Sequence, residues 1–141
     1  MKNETIGLAL PITSEMLKNL EKRDDTIFFK FMPHETFPRE LGVNQKLFFY
    51  FSKKIVGEAK IKEIKLMGSS EIIKSYPNKI LIRKSEFKNY IKGREQKKAL
   101  VLLIEKITIY SSFVELDYYV TMGGRYIKDK EYKSWLKKVK D

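Results

Sequence analysis

The chain has no cysteine. That excludes a disulfide framework, a thiolate zinc site and a cysteine nucleophile together, and it fits a reducing, cytoplasmic setting. There is one histidine, His34, between two prolines and beside Glu35. A lone imidazole with no cysteine and no second histidine is a poor metal ligand, so neither a metal nor a cofactor is expected. Long apolar runs are also missing. The longest is Ala99 to Ile104, and the N-terminal run Ile6 to Leu10 stops at Pro11. Both are too short to span a bilayer or to form the core of a signal peptide. No Gly/Ser linker, internal repeat, phosphate-binding loop, dinucleotide fingerprint or nucleophile elbow occurs.

Positive charge is plentiful. Lys plus Arg is 29 against 18 for Asp plus Glu, a formal net charge of +11. Such an excess points toward a polyanion, though a lysine-rich surface gives the same number without any partner. With 141 residues and 43% hydrophobic content, one domain over residues 1–141 with a substantial core is expected.

Period and punctuation place the elements. Thr13 and Ser14 cap a helix over Glu15–Arg23. Thr26–Met32 is a strand. Lys46–Met67 reads as an aromatic hairpin turning at Ser52-Lys53-Lys54, its second strand carrying Gly57 and Glu58. There Ile55, Gly57, Ala59 and Ile61 share one face while Glu58, Lys60 and Lys62 share the other. The phase flips before Ile64, which predicts a bulge. Short helices are expected over Glu71–Tyr76 and Glu86–Lys92, with a strand over Asn78–Arg83 between them and Gly93 as a stop. Ala99–Tyr110 is a long strand, apolar on both faces in its first half and so central. Phe113–Thr121 is expected to pair with it, Gly123-Gly124 to turn, and Asp129–Val139 to form a last helix with Tyr132, Trp135, Leu136 and Val139 on its apolar stripe. The fold class is α+β, a mixed or antiparallel sheet curled into a small barrel.

Six stretches carry a family resemblance: Pro11-Ile12; Phe28-Phe29-Lys30-Phe31; Leu47-Phe48-Phe49-Tyr50; Ile55-Val56-Gly57-Glu58-Ala59; Gly93-Arg94-Glu95; and Val120-Thr121-Met122-Gly123-Gly124. In this order they resemble an uncharacterised archaeal family of PUA/ASCH-like proteins. The resemblance implies a pseudo-barrel with a cleft beside the first helix, used by relatives for RNA, modified bases or small nucleotides. Some ASCH domains hydrolyse an acetylated cytidine through a lysine and a threonine, and those positions fall here on Asp25 and Phe28. Neither side chain supplies the amine or hydroxyl required, so that activity is not carried over. The strand-end arginine of ASCH domains falls on Lys30, which keeps the charge and loses the bidentate fork.

These readings converge on a non-catalytic nucleic-acid-binding module, with RNA the expected partner and DNA a possible one, and no membrane. Lys30, Lys53, Arg94, Lys98 and Arg125 are the candidate phosphate contacts, and Tyr50 or Tyr126 the candidate stacking rings. His34 is either part of that surface or an ordinary loop histidine. Thr121 and the paired glycines form either an anion nest or a plain turn. Two other classes stay open. One is an enzyme on a modified nucleoside, with Glu58 or Glu95 as acid/base. The other is a protein-interaction module whose charge is incidental. The lysines at 130, 133, 137 and 140 on the last helix form a basic face that is most simply a solvated one.

Overall fold

The structure, a computed structural model, describes residues 4–23, 25–30, 40–76, 84–94, 97–121 and 123–139. Six strands and four helices follow in the order β1 (Thr5–Pro11), α1 (Ser14–Leu20), β2 (Asp25–Lys30), β3 (Lys46–Phe51), β4 (Lys54–Gly68), α2 (Ser69–Ser75), α3 (Lys84–Ile91), β5 (Lys98–Glu115), β6 (Arg125–Lys128) and α4 (Asp129–Val139). They form one mixed sheet in the order β2-β5-β4-β3-β1-β6. Among the described residues only the β1–β3 pairing is parallel.

The sheet curls. One apolar cluster draws Leu8 and Leu10 from β1, Phe28 from β2, Leu47 and Phe49 from β3, Ala59 and Ile61 from β4, and Leu100, Leu102 and Ile104 from β5, with Tyr126 of β6 against it. A flat face of six strands would be about 24 Å wide at ~4.8 Å per strand. The helix covering it, α1, has seven residues, about 10 Å of length. Such a short helix plugs the mouth of a barrel but could not seal a plane that wide. The outward faces are covered separately. Trp135 and Tyr132 of α4 pack on Phe48, Tyr50 and Ile55, while Ile72 of α2 and Phe87 of α3 pack on Ile27, Met67, Ala99 and Val101. The first half of β5 is apolar on both faces because one face meets the interior and the other meets α2 and α3.

Two glycines permit the curl. A Cβ on Gly57 would stand 2.4 Å from the carbonyl oxygen of Thr108, and one on Gly7 would stand 2.3 Å from that of Lys46. β3 and β4 join through two residues, Ser52 and Lys53, both at positive φ (54° and 62°). That is the mirror-image hairpin turn whose twist matches its strands.

Several expectations are corrected. The run Ile6 to Leu10 is the interior of strand β1. No hairpin separates Ala99–Tyr110 from Phe113–Thr121: β5 runs unbroken to Glu115, its partners are β4 and β2, and 116–121 is irregular. Gly123-Gly124 feeds a strand, β6, before the last helix. β4 shifts register three times against β5, at 55/57, 58/60 and 61/63. The strand expected over 78–83 lies outside the described residues.

Candidate functional site

The β3–β4 turn and the segment after β5 meet at one end of the barrel. Lys54 lies opposite Glu115 in the ladder, and the Leu116 amide donates to the carbonyl of Lys53 at 3.1 Å. This docking carries Tyr118 and Tyr119 onto the rim. The Lys53 ammonium sits 4.7 Å from the centre of the Tyr119 ring, and Tyr119 remains 76% exposed. On the other side the Arg125 guanidinium lies 4.0 Å over the Tyr118 ring. The Tyr118 hydroxyl donates to Glu131 of α4, which fixes that ring. Burial, then the bond to Glu131, pushes the Tyr118 hydroxyl well above the ordinary tyrosine value. Two cations and two rings thus share a rim built from β3–β4, the 116–121 segment, β6 and α4. Thr121 is exposed on the same segment, and its carbonyl accepts from the Gly124 amide at 2.9 Å. With that amide used, and a Cβ on Gly124 placed 2.7 Å from Leu10 Cδ2, Gly124 is a packing and turn residue.

Lys30, Arg94 and Lys98 lie at the opposite end. Lys30 pairs with Leu100, and Lys98 with Gly68, at the far limit of the β4–β5 ladder from Lys54. The five candidate phosphate contacts therefore form no single cleft. Lys30 alternates with Phe28 and so faces the barrel interior. Its Nζ is closed off from solvent without a hydrogen-bond partner among the described residues, and this burial pulls its pKa below the usual lysine value. Arg94 turns back on its own helix: Nη1 donates to the Tyr90 carbonyl at 2.5 Å, and the guanidinium lies 5.3 Å from the Tyr90 ring. It closes the end of α3 beside Gly93, which is at φ 79°. His34 and Glu95 lie outside the described residues.

The proposed stacking rings are placed elsewhere. Tyr50 is 8% exposed within the outer cluster under α4, so its ring offers no face to a base. Tyr126 packs on the interior cluster and its hydroxyl accepts from the Glu40 amide at 3.2 Å. Sequence reasoning missed Tyr118 and Tyr119 because it assigned them to a strand. The signal available was Asp117, a poor strand residue, immediately before two consecutive rings.

Glu58 does not face solvent with Lys60. It lies beneath α4, accepting from Tyr110 Oη at 2.8 Å and Tyr132 Oη at 2.9 Å, and pairing with Lys46 Nζ at 2.6 Å. Burial and then the Glu58 carboxylate raise the Tyr110 pKa far above normal, and Tyr132 shifts the same way through burial and its bond to Glu58. Both carboxylate oxygens are engaged, and the arrangement bolts α4 to the sheet. Asp25 is exposed at the start of β2, while Phe28 fills the interior at 5% exposure. Among the described residues no group of three or more His, Asp or Glu stands where it could hold a metal, and no helix is long and apolar enough to cross a membrane.

Comparison with known proteins adds the following. Residues 5–129 match the family described as a domain of unknown function (DUF365). The chain is 30% identical, over 107 residues, to an uncharacterized protein, MJECS03, of the archaeon Methanocaldococcus jannaschii, covering 67% of this chain and 99% of that one. Among solved structures it is similar to the ASCH protein of Zymomonas mobilis, with a TM-score of 0.77 and 13% identity over 94% of each chain. A serine-to-alanine variant of that protein matches at 0.78 and 13%, covering 96% of this chain and 98% of the other. The shared property is the fold, an α+β ASCH-type pseudo-barrel.

Proposed function

We propose, from the premise that this chain belongs to the DUF365 family and has the ASCH fold, that it is a non-catalytic module that binds RNA. The observation that carries the reading is the rim where Lys53 and Arg125 stand over Tyr119 and Tyr118. Nucleic-acid surfaces combine cations for phosphates with rings for bases, and a net charge of +11 attracts such a ligand from a distance. Stacking passes from Tyr50 and Tyr126 to Tyr119, the ring that is exposed. Arg94 and Lys98 lie at the other end, where Lys30 faces the interior. Two observations favour binding over catalysis. Glu58 has its carboxylate committed to two tyrosines and a lysine, and the family resemblance lays Asp25 and Phe28 on the positions where a hydrolytic ASCH domain has a lysine and a threonine.

The test is RNA binding across a salt series. For single strands the logarithm of the binding constant falls with that of salt by about 0.7 per phosphate contact. Arg125→Ala should weaken binding and flatten that slope by about one contact. Absence of RNA binding at low salt, or an unchanged slope in Arg125→Ala, would refute the reading.

A further inference from the structure

We infer that the rim at Lys53, Tyr118, Tyr119 and Arg125 takes unpaired nucleotides, one base stacking on the free face of Tyr119. The inference rests on the RNA-binding reading and narrows its ligand to single-stranded segments.

Three observations carry it. The first concerns the faces of the ring. An aromatic ring has two, and Lys53 occupies one of Tyr119 at 4.7 Å. A tyrosine that is still 76% exposed has the other face open. A cation on one face leaves the opposite one available to a base. The second concerns rigidity. Tyr118, the neighbouring ring, is held by its hydroxyl bond to Glu131 and by the Arg125 guanidinium, so the segment carrying Tyr119 is anchored one residue away. A preorganised ring loses less freedom when a base settles on it. The third is a local rule broken at this spot. Lys53 sits at φ 62°, where glycine is tolerated without steric cost and a side chain is not. The hairpin would be better served by glycine, and the lysine there places an ammonium over the ring.

Duplexes cannot use such a site. Their base faces are covered by neighbouring pairs, and only phosphates and groove edges are presented. An exposed ring face therefore selects bases that are already unstacked, as in loops, tails and bulges.

The experiment compares three fluorescein-labelled ligands by anisotropy: a single-stranded RNA of mixed sequence, the perfect duplex of that sequence, and a hairpin with the same bases in its loop. The single strand and the loop are expected to bind at least about tenfold tighter than the duplex. Tyr119→Ala should lose about five- to a hundredfold on the single strand, Tyr119→Phe should bind as the native chain does, and neither change should affect the duplex. Lys53→Gly should raise the thermal midpoint and weaken single-strand binding together, a combination that a purely structural role would not produce. Equal affinity for duplex and single strand, or full binding by Tyr119→Ala, would overturn this inference and leave the RNA-binding reading standing. Failure to bind any of the three would overturn both.

Discussion

Glu58 and Lys30 show how differently one fold treats two charges drawn inward. Glu58 receives three donors, Tyr110, Tyr132 and Lys46. Lys30 Nζ is withdrawn from water with no hydrogen-bond acceptor among the described residues, which leaves it short of the partner a buried amine normally has. The Glu58 arrangement has a measurable corollary. Glu58→Ala strands two phenol hydroxyls under α4 and should cost about 2–4 kcal/mol of stability, whereas Glu58→Gln keeps an acceptor and should cost about half as much. Urea titration of the two variants checks this, and equal losses would mean that the carboxylate is not the bolt of α4. From sequence, Glu58 was assigned to a polar outer face because it alternates with apolar neighbours. The alternation was real, but the outer face is itself covered by α4, and a helix some 70 residues distant leaves no mark on local periodicity.

At the scale of elements, the hairpin was legible and the strand pairing was not. Alternation, the polar turn and Gly57 marked β3 and β4 directly. β1 was overlooked because Ile6 to Leu10 is short and ends at a proline, yet a strand flanked on both sides within a sheet needs no more than that. The break expected between Tyr110 and Phe113 falls on a bulge: Gly57 pairs with Ile109 and Ile55 with Val114, so residues 110–113 of β5 stand opposite Val56 alone and the strand continues past them. Gly57 is where this ladder is tightest. Gly57→Ala would push a methyl into the Thr108 carbonyl of the neighbouring strand, so a loss of about 1–3 kcal/mol is expected. Thermal unfolding decides it, and a neutral result would show that β4 and β5 can part at that point without cost.

For the molecule as a whole, the candidate site was only half legible. Lys53 and Arg125 could be picked out as cations, but that they share a rim, and that Lys30, Arg94 and Lys98 lie at the other end, follows from a register no single segment encodes. The way α4 is fastened sets a pH limit. Tyr110, Tyr118 and Tyr132 all have pKa values raised above the ordinary 10.0, each chiefly by burial. Unfolding lets them ionise, so their contribution is intact below pH 10 and is lost as pH climbs above it. Stability measured between pH 9 and 12 should fall past pH 10, and Tyr110→Phe should make that fall shallower. A native chain that holds its stability flat to pH 12 would contradict the buried-phenol account.

The pairing of β1 with β6 has a consequence in time. Thr5 meets Lys128, so the strand that leaves the ribosome early must wait for one made much later. At about 5–20 residues per second the delay is roughly 6–24 s. Once β3 has been made, Leu8, Ala9 and Leu10 can dock on it on one side only, and the other edge stays open to any extended chain nearby. Translation speed, and chaperones that shield nascent strands, therefore bear on how much of this protein reaches its barrel.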